Sequence, residues 1–381
     1  MTPFAITTPP RILFGRGQAA QAPALVAAFG ARGLVIHGAN PARAAWLLEA
    51  LAALGCDVMH LPCAEEPSLA LLETTLAEAR RHLPDWVVGL GGGAAIDLAK
   101  AVAALIPAPG GAMDHLEVVG RGLPLAADPL PFVAIPTTSG TGAEVTKNAV
   151  IGLPEHGRKV SLRDDRMLAR LAIVDPALTD HTPWAVTLAS GLDAVTQVIE
   201  PYISAKATPY TDAISLPAIA PGLAALMTLQ GAEDPAARDA LAWTSLAGGL
   251  ALANGGLGAV HGLAGVVGGQ TGAAHGAICG ALLGPVLAAN RSAAEPGSTA
   301  ADRISRVCDL LAPVLHSAPA DVPQALARWI RGAGLPALSA QGLRHDDWAQ
   351  VATSSLTSSS MKGNPVPLTI ADLVAILSAA G

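Results

Sequence analysis

Aromatic residues are scarce in this chain of 381 residues and make up only 3% of it. Hydrophobic residues nevertheless account for 51%, so the interior must be built from alanine, leucine, valine and isoleucine. Charged residues contribute 14%, and the net charge of −7 comes without any basic stripe. So large an apolar share allows a sizeable core and argues against disorder, and the acidic balance argues against nucleic acid as a partner. The length suits two domains better than one.

Cysteine is also rare. The four residues Cys56, Cys63, Cys279 and Cys308 show no paired metal-binding spacing. We therefore expect buried thiols in a reducing cytoplasm, with no disulfide framework. The N-terminus lacks a basic start followed by an apolar run, so no signal peptide is predicted.

Charge is missing altogether from residue 240 to residue 290, a span long enough to cross a bilayer twice. Glycines interrupt it repeatedly, and it carries His261, His275, Asn254 and Gln270. We interpret it as buried helices of a protein without a membrane partner.

Short apolar runs alternate with helical patterns over the first 180 residues. Strands are predicted at 11–15, 33–37, 57–61, 86–90, 132–136 and 171–174, and helices at 41–54, 68–82 and 94–105. This alternation predicts a parallel sheet covered on both faces. From residue 183 onward only helical periodicity is visible. We place the boundary near residue 180, between an α/β domain at 1–180 and an all-helical domain at 181–381.

Two glycine-containing loops follow predicted strands. Gly91, Gly92 and Gly93 open a helix, where glycine lets a backbone approach a diphosphate and the helix N-terminus offers free N–H groups. The loop at 136–146 interleaves hydroxyl side chains with glycine. Two such loops at the carboxyl ends of parallel strands indicate a ligand crevice.

A carboxylate and a carboxamide lie one turn apart in the apolar helical pattern at 191–200. Asp193 and Gln197 share a helix face there, and burying both without partners would be costly. Two histidines of the uncharged region, His261 and His275, supply imidazole groups. Together the four side chains can surround one divalent metal ion.

Taken together, these segments resemble the iron-containing (group III) alcohol dehydrogenases, with maleylacetate reductases as near relatives. The matching segments are 11–15, 91–100, 136–146, 172–179, 191–204 and 261–285. The resemblance implies a dehydroquinate synthase-like fold, in which a Rossmann-like α/β domain precedes an all-α domain and a nicotinamide cofactor lies between them. By motif position, the residues that would contact the cofactor are Gly92, Gly93, Thr137, Thr138, Thr141, Asn148 and Lys159.

The resemblance also implies a metal centre made of an aspartate, a histidine four residues later and two further histidines. Asp193, His261 and His275 match three of these positions and are the implied catalytic residues, whereas the fourth position holds Gln197. A divalent ion, iron or zinc, would bind to these four side chains, or to three of them with an open position. It would polarise the substrate oxygen while the nicotinamide exchanges a hydride. Many relatives carry another histidine one turn after the first metal-binding one, but here that place is Gly265.

The coenzyme preference depends on the end of the first strand of the dinucleotide fold. Relatives that use NAD commonly have an acidic residue there, which binds the ribose and repels a 2′-phosphate. This chain has His37, Gly38, Ala39 and Asn40 instead, with Arg43 nearby. The pattern favours NADP over NAD.

We therefore predict a cytoplasmic NAD(P)-dependent oxidoreductase that interconverts a small alcohol and its aldehyde or ketone, and the resemblance implies a homodimer. One alternative is a metal-independent reductase similar to maleylacetate reductases, in which Gln197 hydrogen-bonds the substrate directly. A dehydroquinate-synthase-like lyase is disfavoured because the cleft segments are poor in lysine and arginine. A non-catalytic nucleotide-binding protein is the remaining alternative.

Overall fold

A computed structural model describes residues 3–381 of the chain. Contacts between Cα atoms divide it into two compact units. The sheet unit comprises Thr7–Thr138 and Gly142–Asp180, and the helical unit comprises residues 3–6, Ser139–Thr141 and His181–Gly381.

The sheet unit contains a six-stranded parallel sheet, as the alternating pattern predicts. Its strands are β1 (Ile12–Phe14), β2 (Arg32–His37), β3 (Asp57–Pro62), β4 (Trp86–Gly91), β5 (Phe132–Pro136) and β8 (Leu171–Val174). Their order across the sheet is β1-β8-β5-β4-β2-β3. The chain first runs outward from β2 to β3 and then continues on the other side of β2, so the order reverses between β2 and β4.

Helices cover both faces of this sheet. They are α1 (Ala22–Ala27), α2 (Ala45–Ala53), α3 (Leu69–His82), α4 (Gly93–Leu105) and α5 (Ala112–His115). Successive side chains of a strand point to opposite faces. Leu34 and Ile36 accordingly belong to the core beneath α3 and α4, and Val35 belongs to the core beneath α1 and α2. Burial on both faces explains why the inner strands β4, β5 and β8 are uninterrupted apolar runs.

A separate antiparallel hairpin, β6 (Asn148–Leu153) and β7 (Arg158–Arg163), was not predicted from the sequence. Ala149, Ile151 and Leu153 are buried, so β6 has the alternation of a strand with one buried face. Gly152 weakens that pattern in the sequence. The loop that precedes the hairpin is conspicuous for its hydroxyl side chains instead.

The helical unit contains nine α-helices among the described residues. They are α6 (Trp184–Ile203), α7 (Pro209–Gly231), α8 (Pro235–Gly255), α9 (Ala259–Thr271), α10 (His275–Ala293), α11 (Thr299–Val314), α12 (Val322–Gly332), α13 (Trp348–Ser355) and α14 (Ile370–Ala380). The uncharged span forms most of α8, all of α9 and most of α10, and residues such as Ala247, Leu263 and Leu282 are fully buried in the core of this unit. By length and composition alone, α7 could cross a membrane, and α8 with α9 passes the same test as a pair bent by 99°.

Candidate active site

Helix α6 carries three polar side chains on one face. Asp193, Gln197 and Glu200 follow one another at intervals of four and three residues, which aligns them along a helix. All three are almost completely buried, with no more than 2% of each residue exposed. Gly248 of α8 lies against Gln197, because a Cβ atom at that glycine would come within 2.8 Å of the Gln197 Cβ. Such deep burial of polar groups requires partners.

His261, near the start of α9, contacts two carboxylates of α6. Its Nε2 lies 3.1 Å from Asp193 Oδ1, and its Nδ1 lies 2.7 Å from Glu200 Oε2. The other oxygen of Glu200 accepts a hydrogen bond of 2.7 Å from the backbone N–H of Val260. Glu200 therefore caps α9 and fixes the imidazole ring at once. With Nδ1–H donating to Glu200, a deprotonated Nε2 could bind a metal ion held beside Asp193, which is the arrangement of a metal-binding histidine.

His275 is the first residue of α10, and its Nε2 lies 4.0 Å from Asp193 Oδ1. The centroids of the His261 and His275 rings are 5.3 Å apart. Two glycines allow α10 to approach α6 this closely. A Cβ atom at Gly276 would meet the Ala189 carbonyl group, whose carbon would be 2.8 Å away, and one at Gly280 would come within 2.6 Å of Leu192.

Cys279 joins this group, although the sequence interpretation assigned it no chemistry. Its Sγ lies 3.6 Å from His275 Nε2. One donor atom from each of Asp193, His261, His275 and Cys279 lies within 4.8 Å of the others. The interval of four residues between His275 and Cys279, one helical turn, indicates that the two side chains share a helix face. The sequence interpretation compared the spacing of the cysteines only with one another and so missed this pair.

Two buried oxygens in this cluster have no hydrogen-bond partner. They are Asp193 Oδ2 and Gln197 Oε1, while Gln197 Nε2 donates to the carbonyl oxygen of Gly140 at 3.3 Å. An unsatisfied buried acceptor costs about 1–3 kcal/mol, and more if it is charged. A cation bound to Asp193 would remove the cost of its unpartnered oxygen, so the donor set fits a divalent metal.

The pKa values of the cluster reflect its crowding. Burial alone raises the pKa of Asp193, but the hydrogen bond from His261 and the nearby imidazoles outweigh it, so the pKa lies below its usual value. Burial lowers the pKa of His275, but the neighbouring Cys279 and Asp193 outweigh that effect and raise the pKa to about 9. The pKa of the Cys279 thiol is lowered despite burial, because His275 and His261 lie beside it. The site thus favours anionic oxygen and sulfur next to positive charge.

The sheet unit brings four of the predicted cofactor residues together where the strand order reverses. Gly92 precedes α4, Gly93 is its first residue, and a Cβ atom at Gly92 would lie 3.3 Å from Thr138 Oγ1. The backbone N–H of Thr137 donates to the Gly91 carbonyl oxygen at 2.9 Å. Ligands of open α/β sheets bind outside the carboxyl ends of the strands at such a reversal.

The remaining predicted cofactor residues are not part of this group. Asn148 opens β6, where its carbonyl oxygen accepts a hydrogen bond from Lys100 at 2.8 Å. Lys159 lies on β7 near the other end of the hairpin and forms an ion pair with Glu66. Thr141 belongs to the segment that packs with the helical unit.

The residues that bear on coenzyme preference lie at and after the end of β2. His37 is buried and contacts the Gly38 carbonyl oxygen at 2.7 Å and His60 at 3.2 Å. Arg43 is exposed and donates to the Leu178 carbonyl oxygen at 2.6 Å.

Comparison with known proteins decides the family. The sequence profile described as "Iron-containing alcohol dehydrogenase" matches residues 9–176, and that described as "Fe-containing alcohol dehydrogenase family, C-terminal" matches residues 187–381. The chain belongs to the iron-containing alcohol dehydrogenase family. It is therefore an oxidoreductase of the alcohol dehydrogenase class, and the resemblance seen in its sequence is confirmed.

Similar proteins span this family. A long-chain-alcohol dehydrogenase of Geobacillus thermodenitrificans is 42% identical over 212 residues, which cover 55% of this chain and 53% of that protein. An NAD-dependent methanol dehydrogenase of Bacillus methanolicus is 30% identical over 389 residues, covering 99% of each chain. The crystal structure of a 1,3-propanediol oxidoreductase is 26% identical, covers all of both chains and has a TM-score of 0.89. The predicted dehydroquinate synthase-like fold is confirmed.

Proposed function

We propose that this family member interconverts a small alcohol and its aldehyde or ketone, using a nicotinamide dinucleotide and a divalent metal ion. The observation that carries the proposal is the buried cluster of Asp193, His261 and His275, in which Asp193 Oδ2 has no partner. The methanol and propanediol enzymes that it resembles support small alcohols as the substrate class.

Asp193, His261 and His275 would hold the metal, iron or zinc, and Gln197 is the fourth ligand that the family pattern predicts. When bound, the metal supplies Lewis-acid polarisation of the substrate oxygen. The protein's own part is to keep the donors in place. Glu200 fixes the tautomer and orientation of His261, and burial of Asp193 and Gln197 excludes water from their side of the site.

The dinucleotide would bind to the sheet unit, along Gly92, Gly93, Thr137 and Thr138. The N-terminus of α4 offers unpaired N–H groups and a partial positive charge to the diphosphate. Thr141, Asn148 and Lys159 are proposed to complete its contacts, on the strength of the family pattern.

We also propose that NADP is preferred to NAD. Strand β2 ends at His37 and is followed by Gly38 instead of a carboxylate, and the exposed Arg43 lies nearby. The ratio of kcat/KM for the two coenzymes with one alcohol tests this preference, and a ratio in favour of NAD contradicts it. The family likeness likewise suggests a cytoplasmic homodimer.

An Asp193→Asn variant tests the function itself. Wild-type protein loaded with zinc or iron(II) should reduce NADP or NAD in the presence of at least one member of a broad alcohol panel. Asp193→Asn should lose about 100-fold or more of that kcat/KM, because several kcal/mol of metal-derived stabilisation disappear with the ligand charge.

Coenzyme binding provides the control. Asp193→Asn should still quench or shift NADPH fluorescence as the wild type does, since its substitution lies in the helical unit and the proposed diphosphate contacts lie in the sheet unit. Wild-type protein that binds NADPH but oxidises no alcohol in the panel would instead support a non-catalytic nucleotide-binding protein.

A further inference from the structure

We infer that Cys279 is the fourth protein ligand of the metal, and that Gln197 is a hydrogen-bonding neighbour of the centre. The inference rests on the metal site of the proposed function and assigns its donor set. It replaces one of the predicted ligands with a residue that the family pattern does not include.

The spacing of the donor atoms supports this assignment. Metal–donor bonds of about 2.0–2.3 Å in tetrahedral geometry place a nitrogen and a sulfur about 3.6 Å apart, and a nitrogen and an oxygen about 3.4 Å apart. Cys279 Sγ lies 3.6 Å from His275 Nε2, and Asp193 Oδ1 lies 3.1 Å from His261 Nε2 and 4.0 Å from His275 Nε2. The sulfur–nitrogen separation equals the expected value, the two oxygen–nitrogen separations lie on either side of theirs, and the side chains come from three helices.

The unpartnered Asp193 Oδ2 is an independent sign of a cation beside this carboxylate. It belongs to a residue that is only 1% exposed, and the other carboxylate oxygen already contacts His261. A cysteine that only filled space in an apolar core would not lie beside two imidazoles and an unsatisfied carboxylate. Cys308 shows that contrast, because it is equally buried in the same unit but is not part of the cluster.

Donor chemistry also favours sulfur over the amide, because an anionic thiolate is an established ligand of a tetrahedral metal site and binds a divalent ion more strongly than a neutral amide oxygen does. Gln197 Nε2 already donates to Gly140, which leaves Oε1 to accept a hydrogen bond from a substrate hydroxyl.

The donor set has a consequence for the metal. Two imidazoles, a thiolate and one carboxylate form a softer set than an aspartate with three neutral nitrogen or oxygen donors, and thiolate ligands select zinc. We therefore infer that this family member holds zinc in preference to iron, in spite of the family's name.

Cobalt(II) substitution tests the assignment by absorption rather than by activity. The chain, stripped of metal and loaded with cobalt(II), should show a sulfur-to-cobalt charge-transfer band in the near ultraviolet. Cys279→Ser should lose the band and bind cobalt at least about tenfold more weakly, since even partners outside the first coordination sphere cost 10–100-fold. Cys308→Ser is the matched control and should keep both, and Gln197→Ala should keep the band.

The outcomes separate the two proposals. Cobalt bound to wild-type protein without a sulfur band overturns the role of Cys279 and leaves the metal-dependent function standing. A band that survives in Cys279→Ser but disappears in Gln197→Ala overturns it as well. No cobalt or zinc binding by the wild type overturns both the assignment and the metal-dependent function. The wild-type spectrum requires no variant, so a misfolded Cys279→Ser protein does not remove the test.

Discussion

At the scale of single residues, Glu200 shows how a side chain outside the ligand set organises the site. Its two oxygens accept hydrogen bonds from the Val260 N–H and from His261 Nδ1, so one carboxylate both caps the start of α9 and orients the imidazole ring. Gly258 makes this possible, because a Cβ atom there would come within 2.8 Å of Glu200 Oε1.

Replacing Glu200 with glutamine should weaken metal binding about 10–100-fold, because the charged acceptor that orients His261 and raises its basicity is lost. Competition with a chromophoric chelator measures the affinity. Glu233→Gln is the control, since Glu233 pairs with Arg238 in the same unit and is not in the cluster. Equal affinities for Glu200→Gln and the control would show that Glu200 only caps the helix.

A second buried carboxylate gives a prediction about stability and pH. Glu144 is 2% exposed, and burial raises its pKa to about 7 from the ordinary value of 4.5. The folded state therefore holds a proton that the unfolded state has released, so this group's contribution is fully present below about pH 4.5 and is lost as pH rises through about 7.

Glu144→Gln should remove that loss. The free energy of unfolding of the variant minus that of the wild type should therefore increase between pH 5 and pH 7.5, by up to about 3 kcal/mol if the full pKa shift is realised. Urea unfolding at several pH values measures it, with the exposed Glu155→Gln as control. Parallel pH curves for wild type and Glu144→Gln would mean that Glu144 is not buried with a raised pKa.

Which residues of the site could be predicted from the sequence depended on motifs and residue spacing. Asp193, His261 and His275 were found from the family pattern, and the structure brings them together. Cys279 was missed because its partner in spacing is a histidine, and the burial of Glu144 was not visible because a charged residue in a polar loop gives no sign of it.

At the scale of elements, the site depends on how closely α10 approaches α6. Gly276 follows His275 directly, and the Ala189 backbone of α6 occupies the space where its Cβ would stand. Backbone cannot move aside as a flexible side chain can, so any larger residue must push α10 outward.

Gly276→Ala should therefore lower the free energy of unfolding by about 1–3 kcal/mol and weaken metal binding, because His275 is displaced from Asp193. Thermal or urea unfolding and the chelator competition measure the two effects. Gly265→Ala on α9 is the control, since nothing lies within 4 Å of its added Cβ. It should not lower stability or metal affinity. A stable Gly276→Ala protein with unchanged affinity would contradict the close-packing account.

Elements were predictable where burial is uniform. Strands β4 and β5 are apolar runs ended by glycine or proline, and β2, β4 and β5 lie within a residue of the predicted positions. The β6–β7 hairpin was missed because its buried residues alternate with exposed or half-buried ones, among them Gly152, which is a weaker pattern. The break between α8 and α9 at Gly256, whose φ is +68°, lies where glycines interrupt the uncharged span.

At the scale of the whole molecule, each compact unit carries one half of the proposed chemistry. The sheet unit carries the loops proposed to bind the dinucleotide, where the strand order reverses, and the helical unit carries the residues proposed to bind the metal. Sequence alone predicted this division of labour because parallel-sheet and helical patterns follow one another along the chain. It did not predict that Ser139–Thr141 groups with the helical unit, since tertiary contacts of so short a segment leave no periodic pattern.

Metal content measured together with alcohol oxidation tests the central claim most directly. Wild-type protein is purified without added metal, stripped with a chelator and then titrated with zinc or iron(II), while bound metal and coenzyme reduction are followed in parallel. We predict that the stripped protein is inactive and that activity rises in proportion to bound metal up to a single ion per chain. Full alcohol oxidation by protein that contains no metal would contradict the account.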